Sequence, residues 1–305
     1  MKILVTGCNG LLGQKLVYKL ANSRTHQLIA TAKGQNRLIM QNGYLYEQLD
    51  ITNEVNVIEM VTKHKPDTVI HTAAMTNVDA CETDTENCQK LNVDAVRFFA
   101  NAIAAHSPNT HFIHLSTDFI FDGKNGPYVE EDLPNPVSIY GQSKLNAENI
   151  ITASKIIWSI ARTIIVYGIT DNMSRSNLVL WAKENLENKR EIKVVTDQYR
   201  SPTLAEDLAD GCLLIAEQKA QGIFNISGPN TRSILDLVYE VADYFKLDKQ
   251  YIIPITSASL KQPAMRPART GFILDKARKV LGYNPHTFTE GIAIVMQQVE
   301  AANKK

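Results

Sequence analysis

Tyr140 and Lys144 stand four residues apart in the segment SIYGQSK. On a helix that spacing puts both side chains on one face, where an ammonium can tune a phenol. A free phenol titrates at about pH 10 and is a slow proton donor at neutrality. A positive charge that stabilises its phenolate makes it a usable acid–base group. A pair this short also describes an ordinary surface contact, so its surroundings decide the reading. Further upstream, HFIHLSTDFIFDG carries an apolar run into Ser116, Thr117 and Asp118, and KLNVDAV contains Asn92. Taken alone, Ser-Thr-Asp reads equally well as a core strand that ends in a polar turn.

The N-terminal stretch TGCNGLLG adds a second chemistry. It follows an apolar run, KILV, and opens an amphipathic one, which is the strand–turn–helix context of a dinucleotide fingerprint. Gly7 permits the tight turn, Gly10 lets the backbone approach a pyrophosphate, and Gly13 lets helix and strand pack closely. The N–H groups at Asn9, Gly10, Leu11 and Leu12 then face the phosphates at a helix N-terminus. The bland alternative is a glycine-rich turn with no ligand.

These residues need a scaffold, and the chain supplies one. Apolar runs of strand length alternate with amphipathic stretches of helix length: KILVTG, LLGQKLVYKLAN, QLIATA, VNVIEMVTKHK, DTVIHTAA. The rhythm continues through a helix around 92–105, a strand at HFIHLS, a helix after Tyr140 and a strand at IIWSIART. This predicts βαβ units in an α/β, doubly wound parallel sheet. Past Tyr167 the pattern shortens: a helical SNLVLWAKENLEN, a strand at IKVVT, a turn-rich QYRSPT, the helix LAEDLADGCLLIAE, a strand at GIFNISG, the helix ILDLVYEVADYFK, a Pro-rich stretch and the helix DKARKVLGY. The expected organisation is a dinucleotide-binding unit over 1–166, with helix 204–217 packed back on it, and a mainly substrate-binding lobe over 167–305.

Composition excludes several classes. The 305 residues carry 32 Lys+Arg against 32 Asp+Glu, so no global basic surface points to nucleic acid or anionic membrane. No apolar run approaches the ~20 residues that span a bilayer, and MKILVTG lacks the features of a secretory signal. A cytoplasmic protein is expected. Cys8, Cys81, Cys88 and Cys212 form no CxxC pair, which fits reduced thiols without disulfide or structural metal. His71 and His114 fall in predicted strands and read as core histidines, Trp158 and Trp181 as core packing, and Glu130-Glu131-Asp132 as an exposed loop.

The spacing GxxGxxG preceded by Thr6, with YxxxK later in the chain, resembles the extended branch of the short-chain dehydrogenase/reductase superfamily. STDFIFDG, HTAAMTNVDACE, VVTDQYRSPTLAEDLA and RPART together resemble the dTDP-4-dehydrorhamnose reductase family, over nearly the whole chain and most weakly in the last hundred or so residues. The resemblance implies a Rossmann fold and an oxidoreductase that reduces the C4 keto group of a nucleotide-activated deoxysugar. It implies Tyr140 as proton donor, Lys144 as the cation that tunes it and binds the nicotinamide ribose, Thr117 and Asp118 beside the carbonyl, and Asn92 holding a water near the lysine. Cofactor contacts are expected from Ser116, Ala73, Ala74, Asp50 and Ile51 as well as the glycine loop.

An acid that would hold the ribose 2′-OH of NAD is missing from ATAKGQNR, whereas Lys33 and Arg37 could meet a 2′-phosphate. NADP(H) is favoured and NAD(H) stays open, since two loop cations also describe a solvated face. Substrate contacts are expected from Thr76, Asn77, Asn177, Arg200 and Arg266. For Arg269 a phosphate contact and a plain surface cation are equally open. A homodimer is possible. Two other readings remain. One is a nucleotide-sugar epimerase that retains its NAD. The other is a non-catalytic cofactor-binding subunit, similar to the regulatory beta subunit of methionine adenosyltransferase.

Overall fold

The computed structural model describes residues 1–23, 25–172 and 177–303. In chain order its strands and helices are β1 (Lys2–Thr6), α1 (Leu11–Ala21), β2 (Gln27–Ala32), β3 (Leu45–Gln48), α2 (Glu54–His64), β4 (Thr68–His71), α3 (Val78–Thr83), α4 (Thr85–Gln89), α5 (Ala95–His106), β5 (His111–Thr117), α6 (Ile139–Ala153) and β6 (Ile157–Thr163). They continue as β7 (Val166–Tyr167), α7 (Leu178–Glu187), β8 (Ile192–Val195), β9 (Tyr199–Arg200), β10 (Thr203–Leu204), α8 (Ala205–Gln218), β11 (Gly222–Asn225), β12 (Arg232–Ser233), α9 (Ile234–Phe245), β13 (Ile252–Ile255), α10 (Asp275–Leu281) and α11 (Phe288–Asn303).

Seven strands form one parallel sheet in the order β11-β6-β5-β4-β1-β2-β3. Buried on both faces, these strands are apolar at successive positions rather than alternately. In β1, Ile3 and Val5 enter the core beneath α1 and α8, while Leu4 enters the core beneath α2, α5 and α6. The order reverses between β1 and β4, so a crevice opens beyond their C-terminal ends, where doubly wound sheets take ligands.

A third core gathers Tyr167, Val179, Leu186, Ile192, Leu237, Val241, Phe288 and Ile292 from β7, α7, β8, α9 and α11. Its strands pair in twos: β13 with β8, β10 with β7, and β12 with β9. Meanwhile α8 lies against α1, and β11 extends the main sheet beside β6. The two-residue strands β7, β9, β10 and β12 carried no signal in the sequence, and neither did β3 and β13. The sequence of β3 is LYEQ, an edge strand with polar positions, and β13 contains Pro254, which an edge strand tolerates because it needs fewer ladder donors. Among the described residues, no helix is long and apolar enough to cross a membrane.

Candidate active site

At the end of β1 the glycines act through space as well as dihedral. Gly7 has φ +68, and a Cβ there would lie 2.9 Å from the Ala73 backbone at the end of β4. A Cβ on Gly13 would lie 2.2 Å from the Gly7 carbonyl oxygen, so α1 reaches β1 this closely only with glycine. Gly10 begins α1 without a side-chain cap, and a Cβ there would meet only the Gly7 carbonyl oxygen at 3.3 Å. The first N–H groups of α1, at Leu11 and Leu12, therefore open on the crevice with the positive end of the helix behind them.

Asn9 braces this loop. Its Nδ2 donates to the Gln35 carbonyl at 2.9 Å and its Oδ1 accepts from the Arg37 amide at 2.9 Å, which ties the segment after β2 to the glycine turn. The exposed Lys33 and Arg37 thus stand beside the loop, with Lys33 Nζ 2.8 Å from Asp50 Oδ2. Ile51 is buried behind Asp50, and the Ala73 amide donates to Thr6 Oγ1 at 3.2 Å, so Ala73 and Ala74 run along the crevice wall. An uncapped helix start, a glycine cradle and adjoining cations suit a dinucleotide pyrophosphate and its ribose.

Across the crevice, Ser138 caps α6 by accepting from the Gly141 amide at 3.1 Å. Tyr140 is 9% exposed, meets Phe119 edge-on at a centroid distance of 5.7 Å, and packs on Cys81, Cys88 and Met75. Burial pushes its phenol above the ordinary value, the neighbouring Thr117 hydroxyl opposes this, and the Asp118 charge adds to it. Thr117 in turn donates to Asp118 Oδ1 at 3.1 Å. The Ser116 hydroxyl is buried without a protein partner.

Lys144 is 3% exposed, and burial draws its ammonium down to about 8. Its Nζ lies 3.0 Å from His114 Nε2, on β5. The ammonium is thus held on a buried histidine of β5, while burial moves the Tyr140 phenol upward. A lone histidine in an apolar strand carries no local signal of that partnership.

Asn92 sits in a wide helical turn, Lys90–Asp94, between α4 and α5, a form that recurs at functional sites. Its Oδ1 accepts from the Met75 amide at 2.8 Å, and its Nδ2 donates to the Met75 carbonyl and to Ser143 Oγ, both at 3.0 Å. Asn92 therefore pins the segment after β4 to α6.

The substrate-side residues divide. Arg200 is 1% exposed, which overturns its reading as a phosphate-binding cation. Its Nη1 donates to the Tyr199 and Ala268 carbonyls at 2.7 and 3.2 Å, its Nη2 to the Pro267 carbonyl at 2.7 Å, and its Nε lies 3.7 Å from Asp118 Oδ2. Asp118 Oδ2 also accepts from Thr270 Oγ1. Burial raises the Asp118 carboxyl, while Arg200, Thr270 and Thr117 pull it back. Asp118 and Arg200 thus hold the 267–270 segment to the end of β5.

Arg266, on that segment, is half-buried and grips Asp79 through both nitrogens, at 2.7 and 3.1 Å. Arg269 is exposed over the Tyr199 ring. Thr76 and Asn77 are exposed at the start of α3, where Asn77 Oδ1 accepts from the Ala80 amide at 3.1 Å. Asn177 caps α7 through the Val179 and Leu180 amides and donates to the Gly168 carbonyl at 2.6 Å. Among the described residues, no group of three or more His, Cys, Asp or Glu is placed to hold a metal ion.

The family model described as RmlD substrate binding domain matches residues 1–301. The chain is 28% identical to the dTDP-4-dehydrorhamnose reductase of Aggregatibacter actinomycetemcomitans, over 98% of this chain and 99% of that one. It is 30% identical to methionine adenosyltransferase 2 subunit beta of Danio rerio, over 87% of this chain and 80% of that one. Among solved structures, the dTDP-4-dehydrorhamnose reductase of Clostridium acetobutylicum superposes with a TM-score of 0.84 at 28% identity, covering 98% of this chain and all of that one.

Proposed function

The chain belongs to the RmlD substrate binding domain family, and we propose that within it this protein is an NADPH-dependent reductase of the C4 keto group of a nucleotide-activated deoxysugar, dTDP-4-dehydrorhamnose giving dTDP-rhamnose. The observation that carries the reading is the convergence, at the reversal point of the sheet, of the buried Tyr140 and Thr117 side chains with the uncapped glycine-loop helix.

The bound cofactor supplies hydride to the carbonyl carbon. Tyr140 releases its hydroxyl proton to the carbonyl oxygen, which becomes the alcohol. Because burial keeps the phenol protonated, Tyr140 starts each reduction with the proton in place. Thr117, beside the phenol, donates a hydrogen bond to Asp118 and so fixes the polar end of β5 next to the proton donor. Lys144 keeps a positive charge next to the chemistry below about pH 8. The work divides along the chain: residues 1–166, with α8 packed back, hold the cofactor, and 167–305 mainly hold the sugar nucleotide, with Arg266, Thr76 and Asn77 as its contacts. Lys33 and Arg37 select the phosphorylated cofactor.

A second reading rests on the 30% identity to methionine adenosyltransferase 2 subunit beta: a cofactor-binding subunit that serves a partner enzyme. One experiment separates them. Purified protein is mixed with NADPH or NADH and dTDP-4-dehydrorhamnose, and nucleotide oxidation is followed with dTDP-rhamnose as the expected product. Turnover with NADPH exceeding that with NADH supports the proposal. Cofactor binding without oxidation of either nucleotide overturns it in favour of the subunit reading.

A further inference from the structure

The Lys144 ammonium lies in the core between β4, β5 and α6, and the protein gives it one close polar partner. His114 Nε2 is 3.0 Å away, and among the described residues no oxygen makes a hydrogen bond to the ammonium. An ammonium has no lone pair, so Nε2 is the acceptor and the ring proton resides on Nδ1. That Nδ1 is buried without a partner. His114 is therefore oriented by its bond to Lys144 and by its stacks on His71, with ring centroids 5.8 Å apart and planes at 22°, and on Phe112, at 6.4 Å and 19°.

His71 is the cross-strand neighbour of His114 in the β4–β5 register. Its Nδ1 lies 2.9 Å from Thr6 Oγ1, the hydroxyl that also accepts from the Ala73 amide on the crevice wall. An imidazole in an apolar strand costs desolvation that a leucine would not. Here the His114 ring gives a catalytic cation its acceptor and stacks on His71, which is itself bonded to the strand that ends in the glycine loop.

We propose that His114 is a positioning residue for Lys144: its unprotonated Nε2 fixes the ammonium at the crevice and holds it in the charged form. This rests on the reading of Lys144 as part of the reductive site.

The groups facing that ammonium are few. From β5 there is His114, from β4 His71, from α4 Cys88, and from its own helix Glu148. The Glu148 charge is already matched by Arg162 of β6, which binds it through two nitrogens at 2.7 and 3.1 Å. Both histidines are kept neutral, by burial first and then by the Lys144 charge, so neither competes for the proton. A hydrogen bond to a charged group is worth enough to move a titration by about one pH unit or more. Removing the acceptor must then let Lys144 lose its proton at lower pH.

The test follows Lys144 directly. Protein labelled with ¹⁵N-lysine is titrated without ligand by NMR, the Lys144 Nζ signal being assigned through its loss in Lys144→Met. His114→Leu removes the acceptor, and His114→Gln restores an oxygen at the reach of Nε2. The expected result is a Lys144 midpoint lowered by about one pH unit or more in the leucine variant and largely recovered with glutamine. The alkaline limb of kcat/KM should move in step. Should His114→Leu fail to fold, His114→Met provides the same comparison. A Lys144 midpoint equal to wild type in the variant without an acceptor overturns the proposal. A shifted midpoint in a protein that reduces no sugar nucleotide supports the positioning role and defeats the reductase reading instead.

Discussion

A Cβ on Gly141 would lie 2.2 Å from the carbonyl oxygen of Phe119. The backbone of α6 and the turn after β5 are thus in direct contact at the residue that follows the proposed proton donor. Gly141→Ala must push the two apart, shifting Tyr140 against Thr117. The expected outcome is a loss of about 1–3 kcal/mol in stability, as in other overpacked sites, together with a fall in kcat. Urea unfolding and steady-state kinetics check it; a variant with unaltered stability and rate would show that the contact is slack.

Tyr140→Phe removes the proton donor while leaving the ring on Phe119 and the thiols. Turnover should fall by about 10²–10⁴, with NADPH affinity nearly unchanged. Stopped-flow reduction and fluorescence titration measure the two. Retention of more than about a tenth of wild-type activity would remove Tyr140 from the role.

Arg200 and Arg266 should respond in opposite ways. Arg200→Met leaves the Asp118 carboxylate and three carbonyls without their buried donor, and breaking a buried pair in this manner costs about 3–5 kcal/mol. Arg266→Ala affects a half-buried pair with Asp79, so its stability cost is small, and its expected signature is a raised KM for the sugar nucleotide with little change in kcat. Thermal melts and kinetics on both variants decide the matter. A stable Arg200→Met with raised KM would return Arg200 to the substrate site.

Acid should unfold the protein through its histidines. Burial holds His71 at about 3, His111 at about 4 and His114 well below the ordinary 6.5, the Lys144 charge adding to this for His71 and His114. Below pH 6.5 the unfolded chain takes up these protons and the native state does not, so stability present above pH 6.5 is lost as the pH falls toward the folded-state values. The loss is about 1.4 kcal/mol per pH unit for each imidazole. The raised carboxyls of Asp118, Glu130 and Asp207 and the raised His286 imidazole act in the opposite sense, while the lowered carboxyls of Glu47, Asp50 and Asp79 act with the three histidines. Denaturant midpoints at pH 7, 6 and 5 give the slope; constant stability across that interval would mean that the imidazoles reach water.

The first half of the sheet was legible because each of its strands is a short apolar run buried on both faces, and the glycine loop because its spacing meets a local backbone requirement. The edge strand β3 was not, since LYEQ has too few buried positions to stand out. That GIFN would lie beside β6 could not be read either, because nothing in four residues names a neighbour 63 positions upstream. The site shows the same limit. Thr117, Asp118, Tyr140 and Asn92 were found through motifs, and the structure gathers them around α6. Arg200, expected to meet the substrate, is buried, and His114 is the core histidine that was expected but with a contact to Lys144 that nothing near it in the sequence signals. Their partners, Pro267 and Lys144, are 67 and 30 residues away, and a polar residue's burial is set by such partners rather than by its flanking sequence.

The tie from Asp118 through Arg200 and Thr270 to the 267–270 segment has a consequence for anyone re-engineering substrate choice. The segment that carries Arg266 is not a free-standing loop to be exchanged between relatives. Its backbone carbonyls are anchored on β9 and its hydroxyl on the strand that presents Thr117. A graft of 264–270 from a homologue therefore needs its own matching residues at 118 and 200, or the transplanted loop will pull on the proton donor's neighbour and lose rate along with its old specificity.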